Sequence, residues 1–599
     1  MSRGGLTAAF ALACKTAPLV VVGYAMAGGL SYLSPVASAL LIRLLVNDLV
    51  AHASTATLAG IAGGVAVCAS LAAGMSRVSR YLQNELERRT GIVADDRIYQ
   101  AVNALNGLSR FEDPPFLDRI RMAQQAGAGV SARLVASVLN VAFGVIATSG
   151  YLGALFTVSP VLTAALAASG GAMLLAEIAI ARGRAAVFAE ICRRQRREIF
   201  FGTMLVSGTA AKEIRLFGIG AFLRGRMRAE RVAANDRAKR MDLREVRVIG
   251  GLNLLAALVS GAGLLWGVHA AAAGRLNVGD VIIFVQAVAG LQAGLAGIVR
   301  EVALVHEYHL TIGHYLAITR TPPDLGSADQ RALPALSSGI VLRDVWFRYS
   351  PDGPWVLRGV DLVLPRGKVT ALVGRNGSGK STLVKLLCRF YDPELGAICW
   401  DGRDLRDIPP ALLRERMAAV FQDFMEYDLS LAENIAVGDI DHRSDTGRIT
   451  AAARYAGIDS AARALPRGYE TLLSRMFDVE EGTGNPESGV LLSGGQWQRI
   501  ALARAYLRGS RDLMMLDEPS AGLDAEAEHE LQMGIRDRCA GQTVLLISHR
   551  LSTLTDADQI VVLEDGRVAE QGTHRSLIAA DGGYARLFEL QGRGYRLPA

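Results

Sequence analysis

Six apolar stretches of membrane-crossing length crowd the first half of the chain, and no water-soluble fold accommodates them easily. A helix that crosses a bilayer takes about 20 mostly apolar residues. The stretches run near Pro18–Leu41, Thr57–Met75, Ala132–Thr157, Val161–Ala181, Val248–Ala271 and Val278–Val299. Any one of them alone could be a buried core helix. Six in this spacing, rich in the Gly and Ala that let helices approach closely in lipid, predict an all-α transmembrane domain over residues 1–320. The first stretch is followed by no small-residue cleavage site, so it reads as a retained helix and not as a signal peptide.

The loop charges orient this bundle. The connection over residues 76–131 holds eight Arg, and that over 183–247 holds sixteen Arg plus Lys. The three remaining connections hold two between them, Arg43 and Arg275. Basic loops stay on the cytoplasmic side, which predicts a multi-pass protein of the cell membrane with both long loops and both termini in the cytoplasm. The same placement accounts for the net charge of +6 without a nucleic-acid partner. Six cysteines are scattered with no CxxC pair, against a disulfide framework or a zinc site. Both long loops carry helical apolar patterns and extend the spans, turning at Phe111–Leu117 and at Lys212–Gly218.

After the charged segment Arg300–Arg320, the run Thr321-Pro322-Pro323-Asp324 stops the helix. Residues 321–338 read as a linker. From 339 to 599 short β-rich runs alternate with helices, the pattern of an α/β domain.

Three motifs in that domain handle phosphate. Gly374-Arg375-Asn376-Gly377-Ser378-Gly379-Lys380-Ser381, with Thr382 next, fits GxxxxGK[ST]. It follows the apolar strand Val369–Val373 and opens a predicted helix Ser381–Phe390, the context the motif requires. Its glycines let backbone N–H groups face phosphate oxygens at a helix N-terminus. Lys380 is placed to reach the β- and γ-phosphates of ATP, and Ser381 to bind Mg²⁺. Asp517 and Glu518 end the apolar run Leu513–Leu516. One carboxylate there can hold Mg²⁺ and the other can polarise a water. Ser493-Gly494-Gly495-Gln496 opens a further helix and makes a second anion site. One domain has no use for two γ-phosphate sites, so this one is read as serving a nucleotide held by a second copy.

With these motifs the sequence resembles the nucleotide-binding domain of the ABC transporter superfamily, most specifically over 340–580. Six spans ahead of it resemble an exporter-type half-transporter. The resemblance implies further roles. Tyr349 would stack on adenine, and Gln422 would contact Mg²⁺ and face the membrane domain. Ser493, Gly494, Gly495 and Gln496 would complete the partner's site. Glu518 would be the catalytic glutamate, Asp524 would join the two sites, and His549 would contact the γ-phosphate. Phe111–Leu117 and Lys212–Gly218 fall where such exporters place their coupling helices. One departure is the acidic stretch Phe477–Glu487 before Ser493, longer than the short loop usual in the family.

The combined reading is an ATP-driven exporter of a peptide, drug-like or lipid cargo, working as a pair of half-transporter chains. A homodimer is favoured, because no ATPase motif is degenerate, with a heterodimer with an impaired partner as the alternative. An importer built on the exporter fold and an ATP-gated regulator without cargo remain alternatives. Gln286, Gln292 and Asn253 are polar positions within spans, suited either to lining a pathway or to bonding between helices.

Overall fold

The computed structural model describes residues 3–127, 129–326, 331–474, 489–520, 528, 541–550 and 554–595. Asp524 and the acidic stretch Phe477–Glu487 lie outside the described residues. The chain divides into two compact units, Met1–Asn103 with Pro115–Thr321, and Ala104–Pro114 with Pro322–Ala599.

The first unit is all helical: α1 (Arg3–Thr16), α2 (Pro18–Val50), α3 (Thr55–Asn103), α4 (Pro114–Gly127), α5 (Val130–Phe156), α6 (Pro160–Val206), α7 (Gly208–Leu216), α8 (Gly220–Ala272) and α9 (Val278–Thr319). Among the described residues six helices are long and apolar enough to cross a membrane, namely α2, α3, α5, α6 over Pro160–Ile180, α8 and α9. Each contains one of the predicted stretches. Several run far beyond bilayer thickness, because their distal halves trade apolar residues for intrahelical ion pairs such as Glu85–Arg89 (2.7 Å).

Local chemistry fixes the ends. Ser159 caps α6 with Pro160 at the first turn, and Asn277 and Asp280 form a capping box on α9. Asp280 also takes the Arg43 guanidinium of α2 at 2.7 Å, and Asn47 of α2 accepts the Gly279 N–H at 3.0 Å. The ends of the first and sixth spans are thereby tied together. Deeper in the bundle the Tyr24 hydroxyl donates to Asn140 (2.9 Å), whose amide donates to Glu301 (3.3 Å). The helices pack as α2 on α3, α6 on α8 and α5 on α9.

The predicted turn at Lys212–Gly218 is mostly helix. Ser207 caps α7 by accepting the Ala210 N–H, so Lys212–Leu216 lie within α7 and the chain turns at Phe217–Ile219. The N-terminal helix α1 went unread in the sequence, since its fourteen residues are too few to span a bilayer.

The second unit is α/β. A six-stranded sheet has the order β10-β9-β3-β8-β7-β6, with β3 (Val369–Val373), β6 (Met417–Val420), β7 (Leu513–Asp517), β8 (Thr543–Ile547), β9 (Gln559–Glu564) and β10 (Arg567–Gly572). All neighbours are parallel except β9 and β10. An antiparallel sheet of order β2-β1-β4-β5 uses β1 (Gly339–Phe347), β2 (Leu357–Pro365), β4 (Leu395–Trp400) and β5 (Arg403–Asp404). Side chains of the parallel strands alternate between two cores. Ala371, Met514 and Val544 enter one, which includes the helix Gly494–Leu507. Leu372, Met515 and Leu545 enter the other, with the antiparallel sheet and α10 (Lys380–Leu387). Burial on both faces explains the unbroken apolar runs.

Residues 104–114 are anchored within this unit. The N–H groups of Asn106 and Gly107 donate to Asp324 (2.8 and 3.1 Å), and Glu112 takes Lys385 at 2.9 Å and the Tyr391 hydroxyl. The helix predicted to reach Phe390 stops at Leu387, because Arg389 adopts φ 49°. Its guanidinium, 2% exposed, turns inward to Asp392 (2.9 Å), the Gly326 carbonyl (2.9 Å) and the Ile408 carbonyl. Replacing a buried charge so fully bonded strands every partner. Arg389→Met therefore lowers stability by about 3 kcal/mol, read as a lower calorimetric unfolding midpoint of the solubilised protein. A midpoint equal to wild type would show that the guanidinium does not hold this corner.

Candidate functional site

The site forms where the parallel strands β3, β8 and β7, adjacent in that order, reach their carboxyl ends. Ligands bind α/β sheets at such edges, because the loops there leave the core free of side-chain packing demands. From β3 the chain enters the loop Gly374–Gly379 and then α10. Gly377 and Gly379 have φ of 82° and 103°, values that L side chains rarely take. A Cβ at Gly379 would also stand 2.6 Å from Leu357. Only glycine lets the loop curl at this point into the amino end of α10.

The Lys380 ammonium folds back over the loop, donating to the carbonyls of Gly374 (2.8 Å) and Arg375 (3.0 Å). Burial pulls its pKa down, with Glu518 and then Asp517 opposing that shift. Thr382, two residues along, shares a 3.0 Å hydrogen bond with the Tyr349 hydroxyl. Tyr349 stands edge-on to Phe347 and Tyr391, with the Lys385 ammonium 5.2 Å from its ring centre. This aromatic face is 44% exposed and open to a planar ring.

Asp517 closes β7 and is 4% exposed. Burial raises its pKa; the Ser381 hydroxyl opposes the rise and Glu518 reinforces it. The next residue, Glu518, takes φ 50°. This left-handed turn, which carries a strain of about 1 kcal/mol for a residue with a side chain, swings its carboxylate away from that of Asp517. Its N–H is fixed on the Ile547 carbonyl at 2.9 Å. One Glu518 oxygen accepts the Gln422 amide (3.0 Å) and the other faces His549 Nδ1 at 3.5 Å. Gln498, from the helix Gly494–Leu507, donates to the Glu518 carbonyl at 3.0 Å. That glutamine went unread in the sequence. The available signal was an amide on the buried side of an otherwise apolar helix face.

Lys380, Ser381, Asp517, Glu518, Gln422 and His549 thus meet in one place, with Tyr349 and Thr382 at its edge. Ser493, Gly494, Gly495 and Gln496 do not join them. Ser493 and Gln496 form a capping box on their own helix. Among the described residues no hydrogen bond or ion pair links this turn to the loop Gly374–Gly379, and Ser493 and Gly494 are exposed.

The chemistry of the site fits a nucleotide triphosphate with a hard divalent ion. The Ser378 hydroxyl is buried within the loop with no hydrogen-bond partner. Among the described residues no cluster of three or more His, Cys, Asp or Glu could hold a metal unaided. Magnesium characteristically takes few protein groups, one or two of them carboxylates, and fills its remaining positions from phosphate and water. Ser381, Gln422 and Asp517 would be those donors.

A glycine-rich phosphate loop, a strand-end carboxylate pair and a separate serine-glycine helix start, in a chain with membrane-length helices, define a membrane-associated nucleotide-binding protein. Residues 357–521 match the ABC transporter domain family. The chain is 38% identical over 343 residues to an ATP-dependent lipid A-core flippase of Chromohalobacter salexigens, covering 57% of this chain and 56% of the flippase. It is 36% identical over 349 residues to a leukotoxin translocation ATP-binding protein of Mannheimia glucosida, covering 57% and 46%. The chain therefore spans about half the length of the curated relatives it matches. The structure of a bacterial Atm1-family ABC exporter with ATP bound superposes with a TM-score of 0.80 over 97% of this chain and 99% of that one, at 22% identity. Residues 357–521 thus carry an ABC transporter domain, and the chain has the fold of that ABC exporter.

A carboxyl whose pKa is higher folded than unfolded favours the folded state most when protonated, so its charge costs stability near neutral pH. Without Mg²⁺, Asp517→Asn raises the thermal unfolding midpoint at neutral pH. The gap to wild type narrows as pH falls through the raised Asp517 value. A variant less stable than wild type at neutral pH would show that neighbours fully compensate the buried charge.

Proposed function

We propose that this chain is one half of an ATP-driven exporter, hydrolysing ATP at two sites formed between paired nucleotide-binding domains. The observation that carries the reading is the convergence of Gln422 and His549 on the two oxygens of Glu518, beside the loop that presents Lys380. A carboxylate gripped this way points one lone pair at a fixed position and accepts a proton from an attacking water there. Lys380 and the loop N–H groups stabilise charge on the transferred phosphoryl. Mg²⁺, held by Ser381, Gln422 and Asp517, supplies neutralisation of the phosphate oxygens. Tyr349 provides a stacking face for adenine.

The exposed turn Ser493–Gln496 supports the pairing. Apart from its own capping box, no group among the described residues occupies this helix start, which suits a nucleotide held on a second copy; Asp524 would lie at the same junction. Closure of the two domains around ATP then drives the membrane halves between inward- and outward-facing states, and hydrolysis resets them. The basic loops 76–131 and 183–247 support a cytoplasmic location for the nucleotide-binding domain in the cell membrane.

The relatives' names refer to lipid A-core and to a leukotoxin. They support export of an amphiphile, lipid or peptide, without choosing between them. Gln292 and Asn253 are exposed on the single chain, which suits a lining role more than bonding between helices of one copy.

Glu518→Gln keeps ATP binding and lowers turnover by about 10²–10⁴-fold, measured by phosphate release from protein in nanodiscs. Near wild-type turnover would overturn the assignment of the base. Pairing has its own check. With ATP trapped by the Glu518→Gln variant, cysteines placed at Ser493 and Asn376 cross-link between chains; absence of that product in a bilayer would refute the two-chain site.

A further inference from the structure

The first unit contains a cavity of about 510 Å³ that export does not explain. It lies between α1, the distal part of α3, the start of α5 and the end of α9. That volume is ordinary for a small-molecule site. Its wall is apolar where Leu12 and Ile312 line it, at 4% and 2% exposure. Three cations stand around it, Lys15, Arg97 and Arg320, and none of them forms an ion pair among the described residues.

The second, independent observation is Tyr315, which lines the same cavity. It is 7% exposed, and its hydroxyl is buried without a hydrogen-bond partner. The Arg97 guanidinium lies within hydrogen-bonding reach of its oxygen and the Asp95 carboxylate also acts on it, but among the described residues the hydroxyl proton has no acceptor. A buried hydroxyl without a partner is disfavoured by about 1–3 kcal/mol, and a ligand oxygen relieves that. Three exposed cations without an ion pair among the described residues stand beside it, outnumbering the Asp95 carboxylate, and suit an anion with several oxygens. Apolar residues on the wall call for carbon attached to that anion. The position agrees, because Lys15 comes just before Pro18, where the first membrane-length helix begins.

We propose that this cavity binds a phosphoryl headgroup, which takes a hydrogen bond from the Tyr315 hydroxyl and charge from Lys15, Arg97 and Arg320, with its carbon portion on Leu12 and Ile312. The group can arrive on a membrane lipid or on a soluble phosphomonoester. The site is independent of ATP hydrolysis and of the direction of transport. Only its lipid form rests on the membrane reading above.

The test uses the full chain in neutral phosphatidylcholine nanodiscs, with binding of phosphatidic acid or glycerol phosphate followed by native mass spectrometry. Tyr315→Phe weakens binding about tenfold, and Arg97→Gln with Arg320→Gln weakens it by about tenfold or more. Binding of phosphatidic acid alone identifies a lipid site, and binding of both probes with the same residue dependence identifies a phosphoryl site open to solutes. Either outcome supports the proposal. Failure of both probes to bind overturns it, and so does binding that none of the variants alters. Tyr315→Phe also removes a partnerless hydroxyl, so its unfolding midpoint without probe equals or exceeds wild type. A clear fall would show that the hydroxyl has a structural partner, which overturns the proposal as well.

Discussion

Everything in the nucleotide site hangs from the carboxyl edge of three neighbouring strands that are buried on both faces. Because β3, β8 and β7 have a core on each side, none of their interior positions can carry a charge cheaply. Polar groups are confined to the residues where the strands run out. The loop after β3, the carboxylates at the end of β7 and His549 after β8 are therefore brought together by hydrogen bonding between parallel strands. The register Asp517 opposite Ile547 sets Glu518 and His549 at the same level.

The same edge explains the opposed electrostatics. Lys380 loses proton affinity through burial while Asp517 gains it through burial, and each partly offsets the other. A site poised this way favours a bound polyanion with its counter-ion, since both penalties fall when phosphate faces the lysine and metal faces the aspartate. Glu518 acts on both groups and, with a left-handed backbone, meets Gln422 and His549.

The membrane-helix unit depends on another kind of bond. Its long helices follow from apolar length, and a few polar contacts tie α2, α5 and α9 together, Arg43 with Asp280 and Tyr24 through Asn140 to Glu301. In an apolar surrounding such contacts have few competitors. The cavity around Tyr315 is the opposite case, where among the described residues a buried hydroxyl has no acceptor.

The sequence by itself determined the membrane-length helices, the phosphate loop and the carboxylate pair, because each is encoded within one short segment by apolar length, glycine spacing or the end of an apolar run. Only the tertiary structure decided what depends on distant segments meeting. Gln422 and His549 share Glu518 although far apart in the chain; Gln498 backs that residue's carbonyl from another helix; Arg389 ends α10 early because its partners sit at Asp392, Gly326 and Ile408. The short element α1 was likewise hidden, since a helix of that length owes its stability to packing and not to a long periodic pattern.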